Sequence, residues 1–376
     1  MIKIFQTGDN HIGLKYSGHE KSKELAKIRT DAFINMVEKA NDERCDIFAI
    51  TGDLFENTYG ISKKDVASLV DILSEFCGTV AIIPGNHDYY DKDAKVWQYF
   101  EAAMRDKQNI LLMNEYRPYE IDVRDEAVTI YPAFCSSLHS DMGENNLAWI
   151  KSCEFKTDAA YKIGMAHGAV EGETIDSEGK YFLMTRDELS DIPVDLWLIG
   201  HTHVPFPNNI TENDTLTAER IFNAGTHVQT DVSCNTEGVC FIIEIDKEKG
   251  ISAKKYISGP IGFKRLTISF SSGGMADTLE NALKNISDNT VVDLVCSGAV
   301  HADEYEARAR IFEKALKRFT EGRYDDYKVS KLITKDTIDA EFLQTSFAAG
   351  FLADLLDDPK EAQMAYEMIN SIREEI

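Results

Sequence analysis

A short apolar run with β character, followed at once by glycine and a knot of Asp, Asn or His, recurs along the first 203 residues. Residues 2–7 stop at Gly8-Asp9-Asn10-His11, 46–51 at Gly52-Asp53, and 79–83 at Pro84-Gly85-Asn86-His87-Asp88. Later, 161–166 lead into His167-Gly168 and 195–199 into Gly200-His201-Thr202-His203. Stretches with helical spacing separate the first three runs, at 22–40 (Leu25, Ile28, Phe33, Val37) and around 62–76. Strand, helix, strand, helix, strand at this spacing predicts βαβ units and a largely parallel sheet. Ligands of such sheets collect beyond the carboxyl ends of the strands, so loops of this kind can converge on one pocket.

After a helix near 94–104 the pattern changes. Short β runs at 118–123, 126–134, 161–166, 195–199, 219–222, 238–245 and 251–257 read as a mixed sheet facing the first. Gly259-Pro260 marks a boundary. From Phe263 the order is strand (263–270), helix (275–286), strand (290–296), helix (303–318), strand (324–330), a small α/β unit of its own. The tail, 336–375, reads as two helices broken at Asp357-Asp358-Pro359, with Asp358 capping the second and Pro359 beginning it.

Composition bounds the function. No apolar run approaches the roughly 20 residues needed to span a bilayer, and the start, MIKIFQTGDNHIG, lacks the pattern of a secretion signal, so a cytoplasmic protein with no membrane partner is expected. The seven cysteines (Cys45, Cys77, Cys135, Cys153, Cys234, Cys240, Cys296) are scattered and never form a CxxC pair. That spacing argues against disulfides and zinc ribbons and for buried, reduced thiols. The formal net charge of −24 is unusual for a nucleic-acid binder, but it is unevenly spread. Residues 336–376 carry ten acids and two bases, 262–335 eleven acids and twelve bases, and 15–29 five bases against two acids.

The residue types in the five loops suit one task. Carboxylate, imidazole and one amide oxygen together suit Mn²⁺, Fe or Zn²⁺; an all-oxygen set would suit Mg²⁺ or Ca²⁺. Seven or eight candidate ligands exceed the needs of one ion, so two ions sharing a carboxylate is the economical arrangement. Taken singly, each cluster reads equally well as turn chemistry, since Asp or Asn beside Gly is common in turns.

The order D-x-H, GD, GNHD, H, GHxH across residues 9–203 resembles the calcineurin-like metallophosphoesterases. GDLFE at 52–56, PGNHD at 84–88 and Phe222-Asn223-Ala224-Gly225-Thr226, with Gly238 after it, resemble the SbcD-type DNA-repair exonuclease branch. The resemblance implies an α/β fold, four layers α-β-β-α with two facing mixed sheets over 1–260. It further implies a small α/β capping domain over 261–333, opening with GFKRLTI, and a C-terminal helical hairpin over 334–376. By the same resemblance Asp9, His11 and His203 would hold one divalent ion, and Asn86, His167 and His201 another. Asp53 would bridge both, with Mn²⁺ as the leading metal. His87 would steady the scissile phosphate and help protonate the leaving oxygen, and Asp88 would orient that imidazole. The implied activity is exo- or endonucleolytic hydrolysis of DNA through a metal-bridging hydroxide.

The implied partners are DNA, an SbcC-type coiled-coil ATPase gripped by the C-terminal helices, and a second copy of the chain. The locally basic 15–29 stretch offers Lys15, Lys21, Lys23 and Arg29 as phosphate contacts, or else a solvated helix surface. Two alternatives remain: a phosphodiesterase or phosphatase on nucleotides or other small phosphoesters, and a non-catalytic protein-binding scaffold. His19, His139, His227 and His301 match no motif position and read as turn or surface residues.

Overall fold

The structure, a computed structural model, describes all residues but 142–143, 157, 174–178, 272–273 and 375–376. The chain divides into two compact units, Met1–Ile261 and Gly262–Ile376.

The first unit opens with β1 (Ile2–Thr7), α1 (Ser22–Asp42), β2 (Ile47–Thr51), α2 (Lys63–Ser74), β3 (Thr79–Ile83), α3 (Lys95–Met104) and β4 (Ile110–Leu112). It continues with β5 (Tyr119–Val123), β6 (Glu126–Ala133), α4 (Ala148–Ser152), β7 (Tyr161–His167), α5 (Arg186–Asp191) and β8 (Leu196–Gly200). The unit ends with β9 (Thr215–Thr217), β10 (Ile221–Asn223), β11 (Val239–Asp246) and β12 (Gly250–Ile257). One seven-stranded sheet runs β4-β3-β2-β1-β11-β12-β9, and a five-stranded sheet runs β10-β8-β7-β6-β5. Both are mixed. β1 to β4 are parallel, as are β6, β7, β8 and β10, while β11 joins β1 antiparallel and β5 joins β6 antiparallel.

Alternation along the strands explains the layering. Side chains on a strand point to opposite faces in turn. In β2, Ile47 and Ala49 face the second sheet, while Phe48 and Ile50 pack under the helices with Phe33, Leu69 and Phe100. In β8, Leu196 and Leu198 meet that inter-sheet core, whereas Trp197 and Ile199 turn outward to Leu189 and Ile150. β2 and β8 are apolar on both sides because both sides are covered. The result is the four-layer α-β-β-α arrangement expected. Among the described residues no helix is long and apolar enough to cross a membrane.

The second unit holds β13 (Gly262–Phe270), α6 (Met275–Leu283), β14 (Thr290–Val300), α7 (Ala302–Leu316) and β15 (Glu321–Lys331). The strands form a parallel three-stranded sheet, β13-β14-β15, packed on α6 and α7 through Leu279, Leu294 and Phe312. The tail differs from the expected hairpin: it has three helices, α8 (Lys335–Glu341), α9 (Phe347–Asp354) and α10 (Pro359–Glu374). Ser346 is the reason for the extra break, because its side chain accepts the Ala349 N–H and starts a new helix. Asp358 does cap the last helix, accepting the N–H groups of Lys360 and Glu361 at 3.1 Å.

Two smaller expectations fail. All seven cysteines are free, but Cys77 is exposed and Cys153 half-buried. His227 is fully buried rather than at the surface, since the loop after β10 folds inward against α1.

A charged cluster ties β1, α1 and β12 together. Glu43 accepts from Lys3 at 3.1 Å, Lys39 at 2.8 Å and Lys254 at 2.8 Å. Burial alone would raise the Glu43 carboxyl, but Lys254, Lys39 and Lys3 outweigh it and lower the pKa from 4.5 to about 2. A depressed acid stabilises the fold above its unfolded pKa and loses that contribution as pH falls toward the folded one. Glu43→Gln is therefore expected to cost about 1–2 kcal/mol at pH 7, and denaturant melts should show the gap to wild type closing between pH 4.5 and 2.

Candidate metal centre

The five loops meet. Asp9 and His11 follow β1, Asp53 follows β2, Asn86 follows β3, His167 ends β7, and His201 and His203 follow β8. Three sets of donor atoms lie within 4.8 Å of one another: Asp9, His11 and His203; His11, Asp53 and His87; and Asp9, Asp53 and His167. Asp9, His11, Asp53, Asn86 and His167 are buried.

Distances sort these donors into two halves. His11 Nε2 lies 3.1 Å from His203 Nε2, and His203 Nε2 lies 3.9 Å from Asp9 Oδ1. Asn86 Oδ1 lies 3.0 Å from both His167 Nε2 and His201 Nδ1. Asp53 Oδ2 faces both halves, 3.9 Å from His11 Nε2 and 3.4 Å from His167 Nε2.

Local backbone strain sits at these same residues. Asp9, His11 and Asp53 have φ of 48°, 45° and 50°, and His201 has 103°. Such values are costly for residues with a Cβ and persist only where the surroundings enforce them. Here the enforcement is hydrogen bonding. The Asp9 N–H donates to Gly52 O at 3.1 Å, the His11 N–H to Asp53 O at 2.9 Å, and the His201 N–H to both Asp9 carboxylate oxygens, at 3.1 and 3.0 Å. Gly52 (φ +95°) and Gly85 cannot be replaced, since a Cβ would strike His167 Nδ1 in one case and Asp53 Oδ1 in the other.

Electrostatics makes the donor set incomplete without a cation. Complete burial pushes Asp9 up to about 6, with the His167 charge opposing and the Asp53 charge adding. Burial also acts to raise Asp53, but His167, then His11 and His87, hold it far below the carboxylate range. His167, which burial alone would lower, is raised to about 9 chiefly by Asp53. His203 is pushed down to about 3 by burial, then by His11 and Arg29. Two buried carboxylates thus depend on imidazolium for neutralisation, a role a bound cation would take over while displacing the His167 proton. His167 Nδ1 donates to Thr51 O at 2.7 Å, which leaves Nε2 aimed at the centre. The residues present fit two divalent ions.

Not every expected site residue belongs to this cluster in the expected way. His87 stands exposed at its edge, its ring centroid 4.8 Å from that of His11. Its N–H donates to Asp53 Oδ1 at 2.8 Å, and its Nδ1 donates to Glu56 O at 3.1 Å. Asp88 does not orient His87. Its carboxylate accepts the N–H groups of Gly85 at 2.7 Å and Phe55 at 3.0 Å, which staples the two ligand loops from beneath. Lys15, Lys21 and Lys23 are exposed, and Lys15 and Lys23 line a groove that begins at Ile12, directly after His11. Arg29 contradicts its expected role: it is buried, and its guanidinium bonds to protein carbonyls, because this side of α1 faces the core.

Sequence reasoning missed two contributors. Glu56 Oε2 lies 3.1 Å from His11 Nδ1, a charge contact on the outer nitrogen of that imidazole without hydrogen-bond geometry. The residue stood inside the GDLFE motif but carried no separate signal. Tyr181 packs against His201, with ring centroids 5.0 Å apart, from a loop with no motif to mark it.

With the cluster in place, comparisons with known proteins decide its affiliation. The family profile described as calcineurin-like phosphoesterase matches residues 2–205, which contain every candidate ligand. The chain belongs to the calcineurin-like phosphoesterase family. Members of this family are metal-dependent phosphoester hydrolases. The chain is 25% identical over 214 residues to the uncharacterized metallophosphoesterase YhaO of Bacillus subtilis (strain 168), a match covering 54% of this chain and 48% of the relative. It thus spans about half the length of that curated relative. Among solved structures it is similar to TT1561 of Thermus thermophilus, with 15% identity, a TM-score of 0.43, and 68% and 99% of the two chains covered. Similarity also extends to a dimetal phosphatase from Danio rerio, with 8% identity, a TM-score of 0.36, and coverage of 68% and 98%.

Asp53→Ala removes a carboxylate that lies 3.9 Å from His11 Nε2 in one half and 3.4 Å from His167 Nε2 in the other. Plasma mass spectrometry of the dialysed protein should find fewer than two Mn²⁺ per chain, where wild type retains two.

Proposed function

We propose that this chain hydrolyses phosphodiester bonds with two divalent ions, Mn²⁺ foremost with Fe or Zn²⁺ as alternatives, and that its substrate is DNA. One observation carries the hydrolytic reading: the Asp53 carboxylate faces two donor sets, Asp9/His11/His203 on one side and Asn86/His167/His201 on the other. Bound in these halves, the ions would supply Lewis-acid activation of the phosphate and of the attacking water.

The chain's own residues have distinct tasks in this scheme. Thr51 holds His167 by its outer nitrogen and the Glu56 carboxylate sits against that of His11, so the inner nitrogens stay available. His87 is exposed where a substrate must arrive. A carbonyl oxygen only accepts, so His87 Nδ1 keeps its proton on Glu56 O. Its Nε2 is left free, and in the imidazolium form the second proton, carried there, would pass to a departing oxygen.

Support for DNA as substrate comes from outside the hydrolytic cluster. The likeness of GDLFE, PGNHD and the 222–226 stretch to SbcD-type nucleases points there, as do Lys15 and Lys23 on the groove after His11. The tail supports an ATPase partner of the SbcC type: Leu343 (80% exposed), Phe347 (86%), Met364 and Met368 present apolar side chains to solvent. Isolated apolar side chains are ordinary, but several within one short helical tail mark an interaction surface. DNA processing alongside such an ATPase is the role proposed.

A second reading, hydrolysis of nucleotides or other small phosphoesters, is favoured by the formal net charge of −24, since a small substrate needs no basic track. Turnover of oligonucleotides, cyclic nucleotides and a chromogenic phosphodiester under Mn²⁺ separates the two. Cleavage of the small esters but of no DNA, with or without an ATPase partner, overturns the nuclease reading.

His87→Ala is expected to keep both ions and lose about 10²–10⁴ in turnover, as read by paired metal analysis and initial rates. Activity equal to wild type would contradict its proton-transfer role.

A further inference from the structure

Arg29 is a buried cation with no ion pair among the described residues. Its guanidinium is spent on the backbone behind the metal centre. Nε donates to Asn10 O at 2.6 Å, Nη1 to Val228 O at 2.8 Å and to the Tyr16 hydroxyl at 3.3 Å. Nη2 donates to Asp9 O at 3.1 Å and to Thr226 Oγ1 at 2.9 Å. The Thr226 hydroxyl in turn lies 2.9 Å from both Asp9 O and Val228 O, with one proton to give. His227, fully buried beside it, lies 3.0 Å from Arg29 O through Nε2 and 3.3 Å from the Asn10 amide through Nδ1. Asn10 closes the set by donating to Thr7 Oγ1 at 2.9 Å.

Burying an unpaired guanidinium is expensive unless every donor is used, and this one is held by five acceptors. Four of those acceptors fall on two segments, the Asp9-Asn10 turn and the chain at 226–228, and the fifth is the Tyr16 hydroxyl. The Asp9-Asn10-His11 turn is the strained one, with φ of 48° and 45° at Asp9 and His11. Drawing the Asp9 and Asn10 carbonyls backward onto one rigid fork sends the Asp9 carboxylate and the His11 ring forward. Asn86 and His167, donors of the other half, are not among the hydrogen-bond partners of Arg29, Thr226 and His227, and His201 meets the network one step further on, through its N–H on the Asp9 carboxylate.

We propose that Arg29 is a positioning residue chiefly for one ion of the pair: with Thr226 and His227 it sets the Asp9/His11/His203 half-site directly and reaches the Asn86/His167/His201 half-site only second-hand, through the His201 N–H on Asp9. This inference rests on the two-ion reading above. Lysine cannot substitute, because a single ammonium on a flexible stem does not reproduce a planar fork.

The test is Mn²⁺ binding to full-length protein by calorimetry, with electron paramagnetic resonance of the loaded samples. Wild type should bind two ions and give a spin-coupled pair. Arg29→Lys should bind one ion within threefold of wild type and the second about 10–100-fold more weakly, with a single-ion spectrum at intermediate Mn²⁺. Thr226→Val removes only a hydroxyl from the same network and should weaken the same ion in the same direction, which covers the case in which Arg29→Lys does not fold. Two ions bound as tightly as in wild type by the folded variants, or both weakened equally, would overturn the inference. A wild type that binds fewer than two ions would overturn the two-ion reading itself, and the proposal with it.

Discussion

Everything in the first unit depends on stitching two sheets together at their carboxyl ends through polar groups. A core between facing sheets is ordinarily apolar, and this one is, from Ile2 to Phe241. At its upper end the rule changes. His167 Nδ1 on one sheet donates to Thr51 O on the other at 2.7 Å, Thr51 Oγ1 reaches Ile199 O at 3.2 Å, and Gln6 Nε2 bonds Ile199 O at 3.2 Å and Phe222 O at 2.9 Å. These bonds cross between β-sheets, so they fix how the two sets of loops face one another. Without that registration, donors from β1, β2 and β3 would have no defined relation to donors from β7 and β8.

From this one constraint follow the features that look costly in isolation. Left-handed backbone at Asp9, His11 and Asp53, glycines that admit no Cβ, and a carboxylate set buried beyond its own means all occupy the same small volume. Stability and function pull against each other there, and the surroundings hold the strain: Asp88 from below, Glu56 from the side, Arg29 from behind.

The strands and the ligand loops were legible in the sequence because both are written in local signals. Apolar β runs give β1, β2, β3, β7 and β8, and glycine beside Asp, Asn or His marks the loop after each strand. The features that escaped depend on tertiary direction. Arg29 sits in a run of lysines and reads as surface charge, yet helix rotation turns it inward with Leu25 and Phe33. His227 has no strand or motif to announce it and is buried because a loop folds back. Asp88 adjoins His87 in the chain, but adjacent residues after a turn point apart, and its carboxylate serves Gly85 and Phe55 instead. The break at Ser346 was missed for a different reason: a single hydroxyl cap is a weaker signal than Asp358-Pro359.

Loops from both sheets bring their donors to one pocket, which would hold two cations with Asp53 facing both, and anomalous diffraction from crystals soaked in Mn²⁺ probes that pocket without any assay of activity. Two peaks roughly 3.5–4 Å apart are expected, with the Asp53 carboxylate between them, Asp9, His11 and His203 around one, and Asn86, His167 and His201 around the other. A single peak, or peaks that leave Asp53 uncoordinated, would contradict the two-cation pocket.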